Sequence, residues 1–79
     1  MSPTIFREGG FRFFFFSREE TRLHVHVSSQ QGEAKFWLEP NIELADNYRM
    51  TATELVAVEK MIREKEHEIR AAWFKHFVG

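Results

Sequence analysis

Hydrophobic and polar residues follow two different periods along this chain of 79 residues. Before Met50, several segments alternate apolar and polar residues at every second position, which is typical of β-strands with one buried face. After Met50, apolar residues recur at steps of three and four, which is typical of an amphipathic helix. The pattern therefore predicts strands first and a helix last.

The first predicted element is a β-hairpin centred on Gly9 and Gly10. Two consecutive glycines can adopt the positive φ angles of a tight turn, and Ile5 to Glu8 and Phe11 to Phe16 flank them as strand arms. The second arm must be covered on both sides, because alternation places apolar residues on each of its faces. One face carries Phe11, Phe13 and Phe15, and the other carries Arg12, Phe14 and Phe16.

More strands are predicted after a polar turn at Ser17 to Thr21. Leu23 to Val27 and Glu33 to Leu38 both alternate, and turn-forming residues separate them. Ile42 to Leu44 are predicted to form either a short additional strand or a packed loop. Residues 1–49 are therefore expected to form an antiparallel meander of three or four strands.

One long helix is predicted over residues 50–78. Thr51 and Glu54 have the spacing of a capping box, in which each side chain hydrogen-bonds the backbone of the other residue. Residues 1–79 are expected to form a single α+β domain whose antiparallel sheet is packed on one face by this C-terminal helix. The apolar stripe of the helix, about seven turns long, contains Leu55, Val58, Ile62, Ile69, Ala72 and Trp73.

The second face of the predicted sheet carries the candidate binding site. A single helix covers only one face, so the other face is expected to be exposed to solvent, a binding site or an oligomer interface, and we favour the last two. Tryptophan is a common binding hot spot, which makes Trp37 the predicted anchor. The predicted binding residues on this face are Arg12, Phe14, Phe16, Glu33 and Trp37.

His24 and His26 are the candidate catalytic pair. Alternate positions on one strand place both imidazoles on the same side, about 6.5 to 7 Å apart at Cα. One imidazole can accept a proton during cleavage of a phosphodiester while Lys35, helped by Arg12, stabilises the developing charge. In the competing interpretation the two histidines only pack. Two histidines are too few for a closed zinc site, so neither a metal nor a cofactor is predicted.

Composition limits the classes of partner. The net charge of -1 gives no bulk attraction for nucleic acid or anionic lipid, so RNA binding requires a local basic patch. The absence of cysteine removes disulfides and thiolate chemistry and fits a cytoplasmic location. The longest unbroken apolar run, Phe13 to Phe16, is far too short to span a membrane, so no membrane partner is expected.

Several motifs in combination resemble a known family. They are Pro3-Thr4-Ile5, the run from Arg7 to Ser17, His24-Val25-His26-Val27, the run from Gly32 to Leu38, and a closing helix with Trp73. Over essentially its whole length the chain resembles the small prokaryotic family named domain of unknown function 4160. Family members usually carry prolines before the histidine motif, where this sequence has Arg22 and Leu23.

The resemblance implies a bacterial or archaeal cytoplasmic protein. Family members are often encoded beside a small protein of another family of unknown function, numbered 2442, so the resemblance also implies a neighbouring protein partner. Some members are assigned as probable toxins of type II toxin–antitoxin modules. One hypothesis is a toxin-like component that acts on RNA or on translation and is neutralised when its partner covers the second face. The alternative is a non-catalytic interaction module that forms homo- or hetero-oligomers, so enzymatic activity is left open.

Overall fold

Five antiparallel strands and two helices build this α+β protein, of which a computed structural model describes residues 4–16 and 22–77. Each strand is hydrogen-bonded to its neighbour in sequence, so the sheet is a simple meander. Both helices follow the strands along the chain and contribute side chains to the same core as the sheet. The elements are β1 (Thr4–Glu8), β2 (Phe11–Phe14), β3 (His24–Ser28), β4 (Glu33–Trp37), β5 (Glu43–Tyr48), α1 (Ala52–Glu64) and α2 (Glu66–Phe77).

The hairpin predicted at the glycine pair is confirmed. Gly9 and Gly10 have φ angles of 57° and 84°, and the antiparallel pairing of β1 with β2 begins at Glu8 and Phe11. Glycine adopts these angles without the steric cost that a Cβ atom would bring. The polar turn predicted from Ser17 to Thr21 lies outside the described residues.

The sheet contains five strands, so the prediction of three or four is wrong. The predicted segment stops at Leu44, whereas β5 runs on to Tyr48 and pairs along β4. Five of its six residues are exposed, and Leu44, the cross-strand partner of the core residue Phe36, has 46% of its surface exposed. The helices leave this edge uncovered, and a strand without a buried face has no period-two pattern to reveal it.

The predicted single helix over residues 50–78 is wrong at Lys65, which separates α1 from α2. Lys65 has φ -108° and ψ 13°. Helical hydrogen bonds nevertheless continue across the break: the N–H of Lys65 donates to the carbonyl oxygen of Met61, and the N–H of Ile69 donates to the carbonyl oxygen of Lys65, each at 2.9 Å. Seven residues separate Ile62 from Ile69, and an unbroken helix would turn the second by about 20° relative to the first. We attribute the break to this drift, because the residues of both helices that are buried in the core are Val58, Ile62, Ile69 and Trp73.

The start of α1 is the capping box that the sequence predicts. Thr51 Oγ1 accepts a hydrogen bond from the backbone N–H of Glu54 at 3.1 Å, and Glu54 Oε1 accepts from the backbone N–H of Thr51 at 2.9 Å. The amide of Gln31 donates to the same carboxylate oxygen at 3.2 Å. These hydrogen bonds lower the pKa of Glu54 below its usual value, and the bond from the Thr51 backbone has the largest effect.

The division of the sheet into two faces follows the predicted parity. The residues predicted to face the helix are buried in the core, whereas their strand neighbours point to the other side. No helix in the described part of the chain is long and apolar enough to cross a membrane. The strands and the residues that directly adjoin them contribute to this core Phe11, Phe13, Phe15, Leu23, Val25, Val27, Ala34, Phe36 and Leu38.

Arg70 ties α2 to the segment that follows β4. Its guanidinium group donates to the carboxylate of Glu39 at 2.5 Å, to the carbonyl oxygen of Leu38 at 3.3 Å and to Glu66 on its own helix at 2.8 Å. The hydrogen bond to Glu39, followed by that to Glu66, raises the pKa of Arg70 above its usual value. The helical layer is therefore fixed to one end of the sheet.

Candidate functional site

The sheet face turned away from the core, here called the open face, carries the predicted site residues in register. Antiparallel pairing aligns its side chains in three rows that run across the strands. The arginine row is Arg7, Arg12, Ser28, Glu33 and Tyr48, the histidine row is Thr4, Phe14, His26, Lys35 and Asp46, and the tryptophan row is His24, Trp37 and Glu43.

His26 lies at the centre of this face, in an aromatic environment. Its ring is stacked at 5.5 Å on Phe14 and lies 4.3 Å from Phe16 and 5.2 Å from His24. Only 8% of its surface is exposed. Lys35 is its cross-strand partner on the neighbouring strand, so the two residues lie next to each other in the middle of the face.

His24 is buried more deeply than a residue on an uncovered face would be. None of its surface is exposed, and its ring contacts both Trp37 on the open face and Trp73 of α2, at 5.7 and 5.2 Å between centroids. Strand parity places His24 away from the helices, but β3 begins at this residue, and at that end of the sheet α2 reaches its ring. Nδ1 of His24 donates to the carbonyl oxygen of Arg22 at 2.6 Å, because a carbonyl oxygen can only accept.

Trp37 is held between two cations. The guanidinium group of Arg22 lies 4.1 Å from the centroid of the indole, and Nζ of Lys35 lies 4.4 Å from it. Such cation–π contacts contribute roughly 0.5–1 kcal/mol each at exposed sites. Arg22 also donates to the carbonyl oxygen of Glu39 at 2.8 Å, so the indole has a defined position while remaining half-buried.

The phenylalanines of this face differ in accessibility. Phe14 is buried beneath Arg12, whose guanidinium group lies 4.5 Å from the ring centroid, and beside Phe16 at 5.3 Å. Phe16 itself is 39% exposed. Arg12 is further oriented by a hydrogen bond of 2.7 Å from its Nε to Thr4 Oγ1. Phe16 is therefore the phenylalanine that can contact a ligand directly.

A shallow depression of about 280 Å³ lies at the centre of the open face, between β3, β4 and β5. An acid–base group, a cation and a carboxylate line it together, which is a combination that can bind a polar ligand and transfer a proton. No three or more His, Cys, Asp or Glu side chains within residues 4–16 and 22–77 are grouped to hold a metal ion. The lining includes Phe16, His26, Glu33, Lys35, Asp46 and Tyr48.

The open face also contains residues that the sequence analysis misses. Asp46 and Tyr48 belong to the part of β5 that extends beyond the predicted segment, and Tyr48 is 64% exposed. Arg7 lies directly opposite Arg12 across the hairpin. The turn at Gly9 and Gly10 indicates that Arg7 pairs with Arg12, because a two-residue loop determines the register of its two strands.

Charge is distributed unevenly over the open face. Arg7 and Arg12 lie on β1 and β2 at one edge, whereas β5 contributes Glu43 and Asp46 at the other edge. Lys35 and Asp46 are cross-strand partners on β4 and β5. The near-zero net charge of the chain therefore conceals a basic edge and an acidic edge on the same surface.

Comparison with known proteins identifies the family. No curated protein and no solved structure matches the chain significantly. The family described as domain of unknown function, DUF4160, matches residues 10–74, which include β2 to β5, α1 and most of α2. The chain therefore belongs to the DUF4160 family.

Proposed function

We propose that this protein is the small, toxin-like component of a two-protein toxin–antitoxin module and that its partner protein covers the open face. The observation that carries the proposal is that the helices cover only one face of the sheet. The other face presents Phe16, Tyr48 and the half-buried Trp37 next to charges of both signs. Aromatic anchors with a charged rim are typical of protein–protein interfaces.

The partner is the small protein encoded by the neighbouring gene. Trp37 is the central anchor, because it is positioned in advance by Arg22 and Lys35 and loses little conformational entropy on binding. The separation of basic and acidic edges then determines the orientation in which the partner binds. By covering the face, the partner prevents contact with the target.

The test is growth of cells that express the protein alone or together with the neighbouring protein. We expect growth arrest in the first case and growth in the second. Tyr48→Asp places a charge on the open face and should weaken partner binding at least tenfold, measured by calorimetry. Phe74→Asp is the matched control, because Phe74 is a similarly exposed aromatic residue on α2 and should leave binding unchanged. Equal weakening by both variants would contradict the proposed interface.

The target of the free protein is proposed to be RNA, with acid–base chemistry at the central depression. His26 and Lys35 are the groups that can reach a ligand there, and the buried ring of His24 supports the orientation of His26 at 5.2 Å. In this scheme His26 accepts the proton of the 2′-hydroxyl group as the 2′-oxygen bonds to phosphorus, and Lys35 stabilises the charge on the phosphate. The bond from phosphorus to the 5′-oxygen breaks, and the leaving 5′-oxygen takes a proton from solvent.

His26→Gln and His24→Gln keep hydrogen-bonding capacity but remove the imidazole, which is the group that accepts the proton in this scheme. We expect both variants to remain folded, to retain partner binding and to lose RNA degradation and growth arrest. His24→Gln should melt at a lower temperature than the wild type, because the ring that it replaces is fully buried between two indoles. Full activity in both variants, or no activity in the wild type, would favour the alternative in which the protein is a non-catalytic interaction module.

A further inference from the structure

The segment that follows β4 is held by arginines from both layers of the molecule. Beside Trp37 on the open face, Arg22 donates from Nε to the carbonyl oxygen of Glu39 at 2.8 Å. In the helical layer, Arg70 donates to the carboxylate of Glu39 at 2.5 Å and to the carbonyl oxygen of Leu38 at 3.3 Å. Glu39 is therefore the residue through which α2 is connected to an arginine of the open face.

Arg22 in turn orients two residues of the candidate site. Its guanidinium group lies 4.1 Å from the centroid of the Trp37 indole, which is a cation–π contact. Nε belongs to the same rigid planar group, so its hydrogen bond to Glu39 also determines how that group lies on the indole. The carbonyl oxygen of Arg22 accepts the hydrogen bond from Nδ1 of His24 at 2.6 Å. The position of Arg22 therefore affects both the predicted binding anchor and one ring of the histidine pair.

Arg70 limits how Glu39 can move. Glu39 is exposed and follows Trp37, the last residue of β4, so it lies beyond the paired residues of β3, β4 and β5. Arg70 is itself paired with Glu66 on α2 at 2.8 Å, and its planar guanidinium group presents its N–H donors in fixed directions. By binding the side chain of Glu39 and the peptide oxygen before it, Arg70 restricts the direction of the carbonyl oxygen to which Arg22 donates.

We infer that Arg70 is a positioning residue for the open face and that it acts through Glu39 and Arg22 on the indole of Trp37. The positioning rests on the hydrogen bonds between these residues, whereas its use in binding a partner rests on the proposed function. An indole that is already ordered loses less conformational entropy on association. Loss of Arg70 therefore weakens partner binding without removing a contact with the partner.

The first experiment follows the surroundings of Trp37 by fluorine NMR of the full chain labelled with fluorotryptophan, with Trp37→Phe to assign its resonance. Arg70→Gln should shift this resonance in the same direction as Arg22→Gln does. Because Arg70 acts through Arg22, adding Arg70→Gln to the Arg22→Gln variant should cause no further shift. A merely structural role of Arg70 would lower the melting temperature and leave the Trp37 resonance of the folded protein unchanged.

Two further variants make this experiment specific. Arg63→Gln is the matched control, because Arg63 forms the same kind of ion pair within its helix, with Glu59 at 3.1 Å, and its loss changes the net charge equally. It should leave the Trp37 resonance in place. Glu39→Gln weakens the link to Arg70 from the other side and keeps the carbonyl oxygen that Arg22 uses, so it should shift the resonance as Arg70→Gln does.

Calorimetry with the neighbouring protein measures the consequence for binding. Arg70→Gln should raise the Kd about three- to tenfold, and Arg63→Gln should leave it close to the wild-type value. An unchanged Trp37 resonance in both Arg70→Gln and Glu39→Gln, or an undiminished shift when Arg70→Gln is added to Arg22→Gln, would overturn the inference. Shifted resonances in a protein that does not bind the neighbouring protein support the positioning and contradict the proposed partner.

Discussion

At Gly32 two parts of the backbone approach so closely that no side chain fits between them. Gly32 is buried just before β4, and a Cβ atom at this position would overlap the carbonyl oxygen of Tyr48 and the carbonyl carbon of Arg49. These atoms belong to the backbone that connects β5 to α1, so they cannot move aside as the end of a side chain can. The requirement for glycine at this position comes from contact with a segment distant in sequence. The residues around Gly32 therefore predict only a turn.

Gly32→Ala is expected to lower the free energy of unfolding by about 2 kcal/mol or more, because the backbone must shift to admit the methyl group. Urea unfolding of the variant measures this loss. Gly10→Ala is the comparison, because a Cβ atom at Gly10 meets no other atom. Its only penalty is the positive φ angle of 84°, which should lower the free energy of unfolding by about 1 kcal/mol. A smaller loss at Gly32 than at Gly10 would contradict the close approach.

The elements that are predicted correctly are those whose signal is local. A glycine pair between two strand segments, alternation in β3 and β4 and the capping box before α1 each involve residues within one element. The parity of the strand segments also places the eight candidate site residues on the open face. In contrast, the length of β5 depends on where the helical layer ends, which no short segment of sequence reveals. The break at Lys65 depends on how the apolar stripe of both helices meets the sheet.

Acid should weaken the start of α1. The pKa of Glu54 is lowered chiefly by its bond from the Thr51 backbone, so this contribution to stability is complete above the ordinary pKa of a glutamate and is lost as the pH falls through the lower folded-state value. The free energy of unfolding of the wild type should therefore approach that of Glu54→Gln between about pH 5 and pH 3. A difference between the two proteins that stays constant over this range would contradict the role of the Glu54 charge.

Two neighbouring aromatic residues of α2 should differ in how much their truncation lowers the free energy of unfolding. Trp73 is buried and its ring lies 5.3 Å from Phe15 and 4.2 Å from Phe77, so Trp73→Ala is expected to cost about 3 to 5 kcal/mol. Phe74 is 61% exposed, and Phe74→Ala should change the free energy of unfolding by less than about 0.5 kcal/mol. Thermal or urea unfolding of the pair measures how α2 is oriented on the sheet, and equal losses would mean that its buried face is assigned wrongly.

At the scale of the whole molecule, one helical layer on a two-faced sheet predicts association. The open face should be buried in a dimer or in a heteromer with the partner protein, and a standard interface that includes Trp37 needs about 800 Å² from each partner. Phe16→Ser should shift sedimentation toward the monomer, whereas Val56→Ser, at a residue of α1 that is 73% exposed, should not. A wild-type protein that remains monomeric at all concentrations with Trp37 solvated would contradict self-association and leave only the heteromeric partner.

The position of His24 between two indoles gives the molecule a pair of optical reporters. Trp73 on one side of this ring emits from the core, so its fluorescence follows unfolding, while Trp37 on the other side is stacked against Arg22 and Lys35 at the surface where ligands are proposed to bind. Displacement of either cation by a partner or an RNA changes the surroundings of Trp37 without disturbing Trp73. A single titration, followed in the wild type and in Trp37→Phe, thereby distinguishes occupation of the open face from loss of the fold in an unlabelled protein.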